Sequence, residues 1–137
     1  MYRRLHKEQK LFSNVDAYIT GSIDPGLLIV EGKLADGVSM EKGEAAIWKE
    51  LDIIKEELMS EEELQKIKNK AESTLIFSES NVLNKAMNLA FFELLGDANR
   101  INEEVDLYQE VTRRDIQKAA QQIFKEENCS ALYYKAE

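Results

Sequence analysis

The fold is decided by the segment from Leu11 to Leu34, which reads LFSNVDAYITGSIDPGLLIVEGKL. Residues with β-branched and aromatic side chains fill both ends of this segment, and such residues are typical of β-strands. Between them, Asp24-Pro25-Gly26 has the chemistry of a turn, because proline fixes φ and glycine tolerates a positive φ. The segment therefore predicts a β-hairpin.

The first arm of the hairpin alternates in polarity. Its apolar positions are Val15, Ala17 and Ile19, and the positions between them are Asp16, Tyr18 and Thr20. This period of two predicts a strand with one face against helices and one face in water. The second arm, Leu27 to Val30, is apolar throughout, which predicts a strand that is central or covered on both faces.

Almost all of the sequence after the hairpin is predicted to be helical, because apolar residues recur every three or four positions. The first predicted helix runs from Met40 to about Met59, and a capping box at Ser60 and Glu63 begins the second. A third helix carries the apolar stripe Leu83, Met87, Ala90 and Leu94 and ends at Gly96. A shorter helix is predicted within 97–109, and an N-cap at Thr112 begins the last helix. Residues 1–10 resemble the last turns of another helix, and Cys129 to Tyr134 is β-prone.

These elements predict an α+β fold with the order α-β-β-α-α-α-α-β, in which a small antiparallel sheet carries helices on one face. A chain of 137 residues is long enough for a single domain, 1–137. The first helix lacks an N-cap residue before it. We therefore expect the N-terminal portion of the domain to lie outside this sequence, and we expect exposed strand edges that permit self-association.

The composition excludes several classes of function. A net charge of −8 argues against nucleic acid or an anionic membrane as the main partner, since both require a basic face. No window approaches the roughly 18 apolar residues that a membrane-inserted helix needs. Cys129 is the only cysteine, so the fold does not depend on a disulfide, and the choice between periplasm and cytoplasm stays open.

The sequence holds no recognisable active site of its own. His6 is the only histidine, and neither His-Glu-x-x-His nor its reversed form is present. There is no Gly-x-Ser-x-Gly motif for a nucleophilic serine, and the glycines form no phosphate-binding loop. No catalytic residue, metal ligand or cofactor site is therefore predicted for this chain.

Four segments, in this order, resemble the C-terminal, non-catalytic domain of the M16 zinc metallopeptidases (pitrilysin, insulinase and the mitochondrial processing peptidase-like metallohydrolases). The segments are LHKEQKL (5–11) leading into SNVDAY (13–18), GSIDPGL (21–27), MSEEELQKIKN (59–69) and VTRRDIQKAA (111–120). They extend over nearly the whole chain, so the resemblance implies the same truncated M16-like fold throughout.

The resemblance also implies a function. In this family, a homologous N-terminal catalytic domain or partner subunit supplies zinc and the catalytic glutamate, and the inactive domain helps to enclose an extended peptide substrate. Many relatives carry an arginine and, seven positions later, a tyrosine at the helix-to-strand junction, and this sequence has His6 and Ser13 there. The candidate contacts to a substrate or partner are His6, Ser13, Asp16, Tyr18 and Thr20.

Two other functions stay open at this point. The first is a structural or interaction module of an M16-like protein without proteolytic activity. The second is a helix-on-sheet domain that binds a small ligand. A His-x-x-Glu-His motif in the parent chain or its gene neighbour would favour the peptidase over the interaction module.

Overall fold

A computed structural model describes residues 1–21 and 23–135 of the chain. The strands in this part are β1 (Phe12–Ile19) and β2 (Leu28–Leu34), and the α-helices are α1 (Met40–Glu56), α2 (Glu61–Glu79), α3 (Val82–Leu94), α4 (Glu104–Glu110) and α5 (Arg113–Ile123). A π-helical turn, Arg3–Glu8, precedes β1, and two 3₁₀ turns lie at Ala98–Asn102 and Glu126–Asn128. The predicted α+β class is confirmed.

The chain divides into two compact units. The first contains Met1–Glu56 together with the residues from Ile123 onward, and the second is Glu57–Gln122. The hairpin and α1 therefore belong to the first unit, whereas α2, α3 and α4 belong to the second.

The predicted hairpin is confirmed. Strands β1 and β2 pair antiparallel, with Ala17 opposite Val30. Asp24-Pro25-Gly26 lies in the loop between them, and Ser22, in the same loop, is outside the described residues. The register is irregular between Phe12 and Asn14, which marks a β-bulge near the start of β1.

The core of the first unit lies between the hairpin, the π-helical turn and α1. Its buried side chains are Leu5, Leu11, Phe12 and Val15, and the half-buried side chains packed on them include Val30, Leu34, Val38, Ala46 and Ile47. Ala46 and Ile47 belong to α1, so this helix covers one face of the hairpin. Leu5, in the π-helical turn, is fully buried.

The alternation predicted for β1 holds only at one end of the strand. Val15 is 2% exposed, but Ala17 is exposed and Ile19 is 71% exposed. The reason is coverage, because the core involves Phe12 and Val15 and does not reach the far end of β1. A period of two gives the side of the strand on which a residue lies, and the neighbouring elements decide whether that side is buried.

Two further expectations for the strands were wrong. Strand β2 is not covered on both faces, since Leu28 is exposed and β1 is its only neighbour in the part of the sheet that the structure describes. Cys129 to Tyr134 does not form the final strand of the predicted order. The backbone of Cys129 is extended (φ −106°, ψ 140°), but a strand also requires a hydrogen-bonded partner, and none of the described strands pairs with this segment.

The helix boundaries of the second unit follow the predicted capping chemistry. Ser60 Oγ accepts a hydrogen bond of 3.1 Å from the amide of Glu63 at the start of α2. Thr112 and Asp115 bond reciprocally at the start of α5, with Asp115 Oδ2 accepting from the Thr112 amide at 2.9 Å. Gly96 has φ +105° after α3, and the Asp97 amide donates to the Phe92 carbonyl in a Schellman motif.

Among the described residues of the first unit, one charged side chain is buried. Glu50, on α1, is 6% exposed, and its carboxylate lies 3.6 Å from Arg4 Nη1. A buried carboxylate needs such a partner, because burial removes the water that would otherwise solvate it. The ion pair with Arg4 therefore fastens the π-helical turn to α1.

We expect Gly32→Ala to lower the free energy of unfolding by about 1–3 kcal/mol, because an added Cβ would lie 2.6 Å from the buried Phe12 ring. Urea denaturation followed by circular dichroism measures this change. Gly21→Ala is the matched control, since nothing lies within 4 Å of its Cβ position. Equal stability of the two variants would contradict the close packing of Phe12 on β2.

Candidate functional site

His6 supports the junction between the π-helical turn and β1. Its ring stacks on Tyr2 with centroids 4.8 Å apart, and Nδ1 lies 2.8 Å from the carbonyl oxygen of Phe12. Because a carbonyl only accepts, Nδ1 is the donor in this hydrogen bond. One ring nitrogen of His6 is thus engaged in holding the backbone of β1.

Ser13 lies at the β-bulge, where its hydroxyl donates to the Lys33 carbonyl of β2 at 3.0 Å. His6 and Ser13 therefore bond to backbone carbonyls of two different strands. This arrangement does not make them a cooperating catalytic pair. Both side chains stabilise the start of the hairpin.

Asp16 and Tyr18 lie on the face of β1 opposite to Val15. Asp16 Oδ2 accepts a hydrogen bond of 2.6 Å from Asn14 Nδ2, and in the strand register Asp16 is directly opposite Glu31. The hydroxyl of Tyr18 points to Glu31 Oε2 at 3.4 Å, which is long for an O–H···O bond. Two opposed carboxylates and an exposed phenol give this face an acidic, hydrogen-bonding character.

Thr20 closes the loop of the hairpin. Its amide donates to the Leu27 carbonyl at 2.9 Å, and its hydroxyl accepts from the Leu27 amide at 2.8 Å. Of the five candidate contact residues, the structure therefore places Asp16 and Tyr18 side by side on an open face. His6, Ser13 and Thr20 bond mainly to backbone.

The structure contains a second feature that the sequence reasoning missed, an open surface groove of about 460 Å³ beside α1. Its lining residues are Glu41, Glu44, Ala45, Trp48, Glu126, Cys129 and Ala131. The sequence feature that could have indicated this groove is the spacing of Glu41, Glu44 and Trp48, which places all three side chains on one face of a helix.

Hydrogen bonds shift the pKa values of Glu41, which lines this groove, and of Tyr133, which bonds to the lining residue Glu44. The Tyr133 hydroxyl donates to Glu44 Oε2 at 2.5 Å, and this bond raises the pKa of Tyr133, because ionisation would place two negative charges together. The pKa of Glu41 is lowered, first by its backbone amide and then by the Ser39 hydroxyl. The C-terminal segment is thus fastened to α1 by a charge-assisted hydrogen bond.

The donor groups of the described residues do not fit a zinc centre. Within residues 1–21 and 23–135, no group of three or more His, Cys, Asp or Glu side chains is arranged to hold a metal ion. The thiol of Cys129 is exposed. None of the helices in the described ranges is long and apolar enough to cross a membrane.

A sequence model of the family described as "Peptidase M16 inactive domain" matches residues 1–71. The match covers 71 of 137 residues, just over half of the chain. It includes the π-helical turn, the hairpin and α1, which carry the core of the first unit and the candidate contact residues, and it extends into α2. A search of curated proteins found no match.

Three solved structures share this fold. A protease from Helicobacter pylori aligns with a TM-score of 0.81 at 17% identity, over 90% of this chain and 30% of that protein. The inactive peptidase domain of a proposed zinc protease from Bordetella parapertussis aligns with a TM-score of 0.78 at 22% identity, over 88% and 64% of the two chains. A proposed zinc protease from Bordetella pertussis aligns with a TM-score of 0.76 at 22% identity, over 89% and 68%.

These structures extend beyond the present chain. It spans less than a third of the Helicobacter pylori protease and just under two thirds of the Bordetella parapertussis domain. At identities below 25%, the alignments establish a shared fold.

We expect Glu44→Gln to lower the pKa of Tyr133 toward the ordinary tyrosine value of about 10, because the carboxylate that opposes ionisation is removed. The measurement is an NMR pH titration of ¹³C-labelled tyrosine rings, with Tyr133→Phe assigning the resonance. Glu57→Gln, an exposed substitution, serves as the control. An unchanged Tyr133 titration in Glu44→Gln would contradict the hydrogen bond between the two side chains.

Proposed function

Since this chain belongs to the family of peptidase M16 inactive domains, we propose that it serves as the non-catalytic domain of a zinc-dependent peptidase. A homologous N-terminal catalytic domain or a partner subunit supplies the zinc ion and the catalytic glutamate. The present chain helps to enclose and hold an extended peptide substrate. The observation that carries this proposal is the family match over residues 1–71.

The chemistry of the chain supports the assignment of catalysis to another domain or subunit. A catalytic zinc site needs three protein ligands, and this sequence has a single histidine, His6. That histidine donates Nδ1–H to Phe12 and lies in a structural junction. The metal and the water that it activates therefore belong to another domain or chain.

The open face of β1 carries groups suited to contact with a partner domain or a peptide. Asp16, Tyr18 and Glu31 offer two carboxylates and a phenol to a partner domain or peptide. Such groups hydrogen-bond to backbone amides and pair with basic side chains. We propose this face, with His6, Ser13 and Thr20 supporting it, as the surface that meets the catalytic domain or the substrate.

Two proposals concern the extent of the domain and its strand edges. We propose that the chain is the C-terminal part of an M16-like domain whose N-terminal portion adds to the sheet, which agrees with the greater length of the solved relatives. Each strand of the hairpin has one hydrogen-bonded neighbour within the described residues. The second edge of each strand is therefore available to the N-terminal portion or, in its absence, to another copy of the chain.

A second candidate function is an interaction module without proteolysis. The observation that favours it is the engagement of His6, Ser13 and Thr20 in backbone hydrogen bonds, which gives these side chains a structural role. In this alternative the same face of β1 binds a partner, and no peptidase activity depends on it.

The purified chain is expected to leave an unstructured peptide intact with or without added zinc, because residues 1–21 and 23–135 contain no group of side chains arranged to hold a catalytic metal. The measurement is a fluorogenic-peptide assay with and without a chelator. Zinc-dependent cleavage that copurifies with the chain through successive chromatographic steps would overturn the proposal.

The proposed partnership predicts that a zinc-binding M16 domain from the same gene, or from its neighbour, gains peptidase activity when this chain is added. Tyr18→Ala is expected to weaken that gain several-fold, because it removes the phenol from the open face of β1. Tyr134→Ala is the matched control, since Tyr134 is exposed on the C-terminal segment. If the catalytic domain is equally active without this chain, substrate enclosure is wrong and the interaction module is favoured.

A further inference from the structure

The connection between β2 and α1 contains an Asp-Gly pair, Asp36-Gly37, in a tight turn. The Val38 amide donates to the Ala35 carbonyl at 3.2 Å, and Gly37 has φ +79°. A positive φ at the third position of a hydrogen-bonded turn is the geometry of type II, in which glycine is favoured. The hydrogen bond between Val38 and Ala35 therefore holds the ends of the turn together.

Two groups of this pair that can react with each other have no partner among the described residues. The Asp36 side chain is exposed and makes no hydrogen bond or ion pair within residues 1–21 and 23–135. The Gly37 amide donates to no acceptor in the same ranges. Apart from the chain neighbours of Gly37, no atom lies within 4 Å of the position that a Cβ would take there. The carboxyl group and the amide are therefore both open to solvent.

We propose that Asp36-Gly37 is a modification site at which aspartate converts to isoaspartate. The Gly37 nitrogen attacks Cγ of the Asp36 carboxyl group in its acid form, and a five-membered succinimide ring forms. The carboxyl hydroxyl leaves with the amide proton as water. A second water molecule then opens the ring. Cleavage of the bond between nitrogen and Cγ restores aspartate, and cleavage of the bond to the main-chain carbonyl carbon leaves isoaspartate.

The geometry of the turn permits this attack. The Gly37 nitrogen approaches Cγ of Asp36 only when the peptide unit between the two residues rotates. Rotation of this unit interconverts type II and type I turns, and it leaves the ends of the turn in place. No hydrogen bond from the Gly37 amide to a described residue has to break, and Gly37 has no Cβ to oppose the rotation.

Asp97-Ala98 provides a contrast within the same chain. Asp97 is also exposed, but its Oδ1 accepts a hydrogen bond of 2.9 Å from the Asn99 amide at the start of a 3₁₀ turn. Ala98 also has a Cβ beside the amide nitrogen that would attack. The same chemistry is therefore expected to be much slower at Asp97.

Conversion at Asp36 would reach the core of the first unit. Isoaspartate adds one main-chain atom to the connection between Leu34 and Val38, and both of these side chains pack against the core. Leu34 also contacts α1 closely, since a Cβ on Gly43 would clash with it. The modified chain is therefore expected to have a lower melting temperature.

Incubation of the 137-residue chain in H₂¹⁸O, at physiological temperature and mildly acidic pH, tests the site. Each opening of the succinimide places one ¹⁸O atom on residue 36. Trypsin digestion in ordinary water releases peptide 34–42, LADGVSMEK, which is expected to gain the label and to separate into two peaks of equal mass. Methylation of one peak by an isoaspartyl methyltransferase with S-adenosylmethionine identifies it as isoaspartate.

Two controls are matched to this measurement. Peptide 86–100 from the same digest contains Asp97 and is expected to stay unlabelled at that residue. Asp36→Glu keeps the charge of the turn, but its carboxyl group would have to close a six-membered ring, so its peptide 34–42 is expected to stay unlabelled. After incubation, the original chain is expected to melt at a lower temperature than Asp36→Glu.

A synthetic peptide of residues 34–42 gives the rate of conversion without the fold. The folded chain is expected to convert within about tenfold of that rate, because both reacting groups are open. A slower rate, equal labelling at Asp97, or labelling of Asp36→Glu at residue 36 would overturn the proposal. Equal melting temperatures in the presence of isoaspartate would overturn its effect on the core.

Discussion

The structure depends on the packing of Phe12 between two glycines. A Cβ at Gly32 of β2 would lie 2.6 Å from the Phe12 ring, and a Cβ at Gly43 of α1 would lie 3.3 Å from it and clash with Leu34. The absence of both side chains lets the backbone of a strand and of a helix approach the same buried ring. This contact sets the separation between α1 and the hairpin. The carbonyl of Phe12 also receives the His6 hydrogen bond, so the junction and the core share one residue.

The elements that could be predicted from the sequence are those whose chemistry is local. The Ser60 and Thr112 caps and the Gly96 stop each depend on residues within a few positions of one another, and the hairpin depends on a turn between two consecutive strands. All of them are present. A side chain that satisfies a backbone amide three residues away needs no information from the rest of the chain. The resemblance to M16 inactive domains rested on such local segments, and the family match agrees with it.

Burial could not be predicted in the same way, because it depends on what covers a surface. Ile19 and Leu83 have the periodicity of core residues, yet both are exposed, since no described element packs over them. The groove beside α1 was missed for a related reason. Its walls join Glu44 and Trp48 to residues more than 75 positions later, including Glu126. For the candidate contacts, the sequence predicted the polar face of β1, but it could not show which side chains would be engaged in backbone hydrogen bonds.

The pairing of Thr20 with Leu27 has a practical consequence for the hairpin. Two hydrogen bonds join these residues at the base of the loop, so the strand register is set before the chain enters the loop tip. The entropic cost of closing a longer loop grows only slowly with its length. The tip is also at the end of β1 remote from Phe12. An epitope or fluorescent reporter inserted there would leave the core and the register intact, which makes the hairpin tip a suitable position for labelling this domain inside a larger assembly.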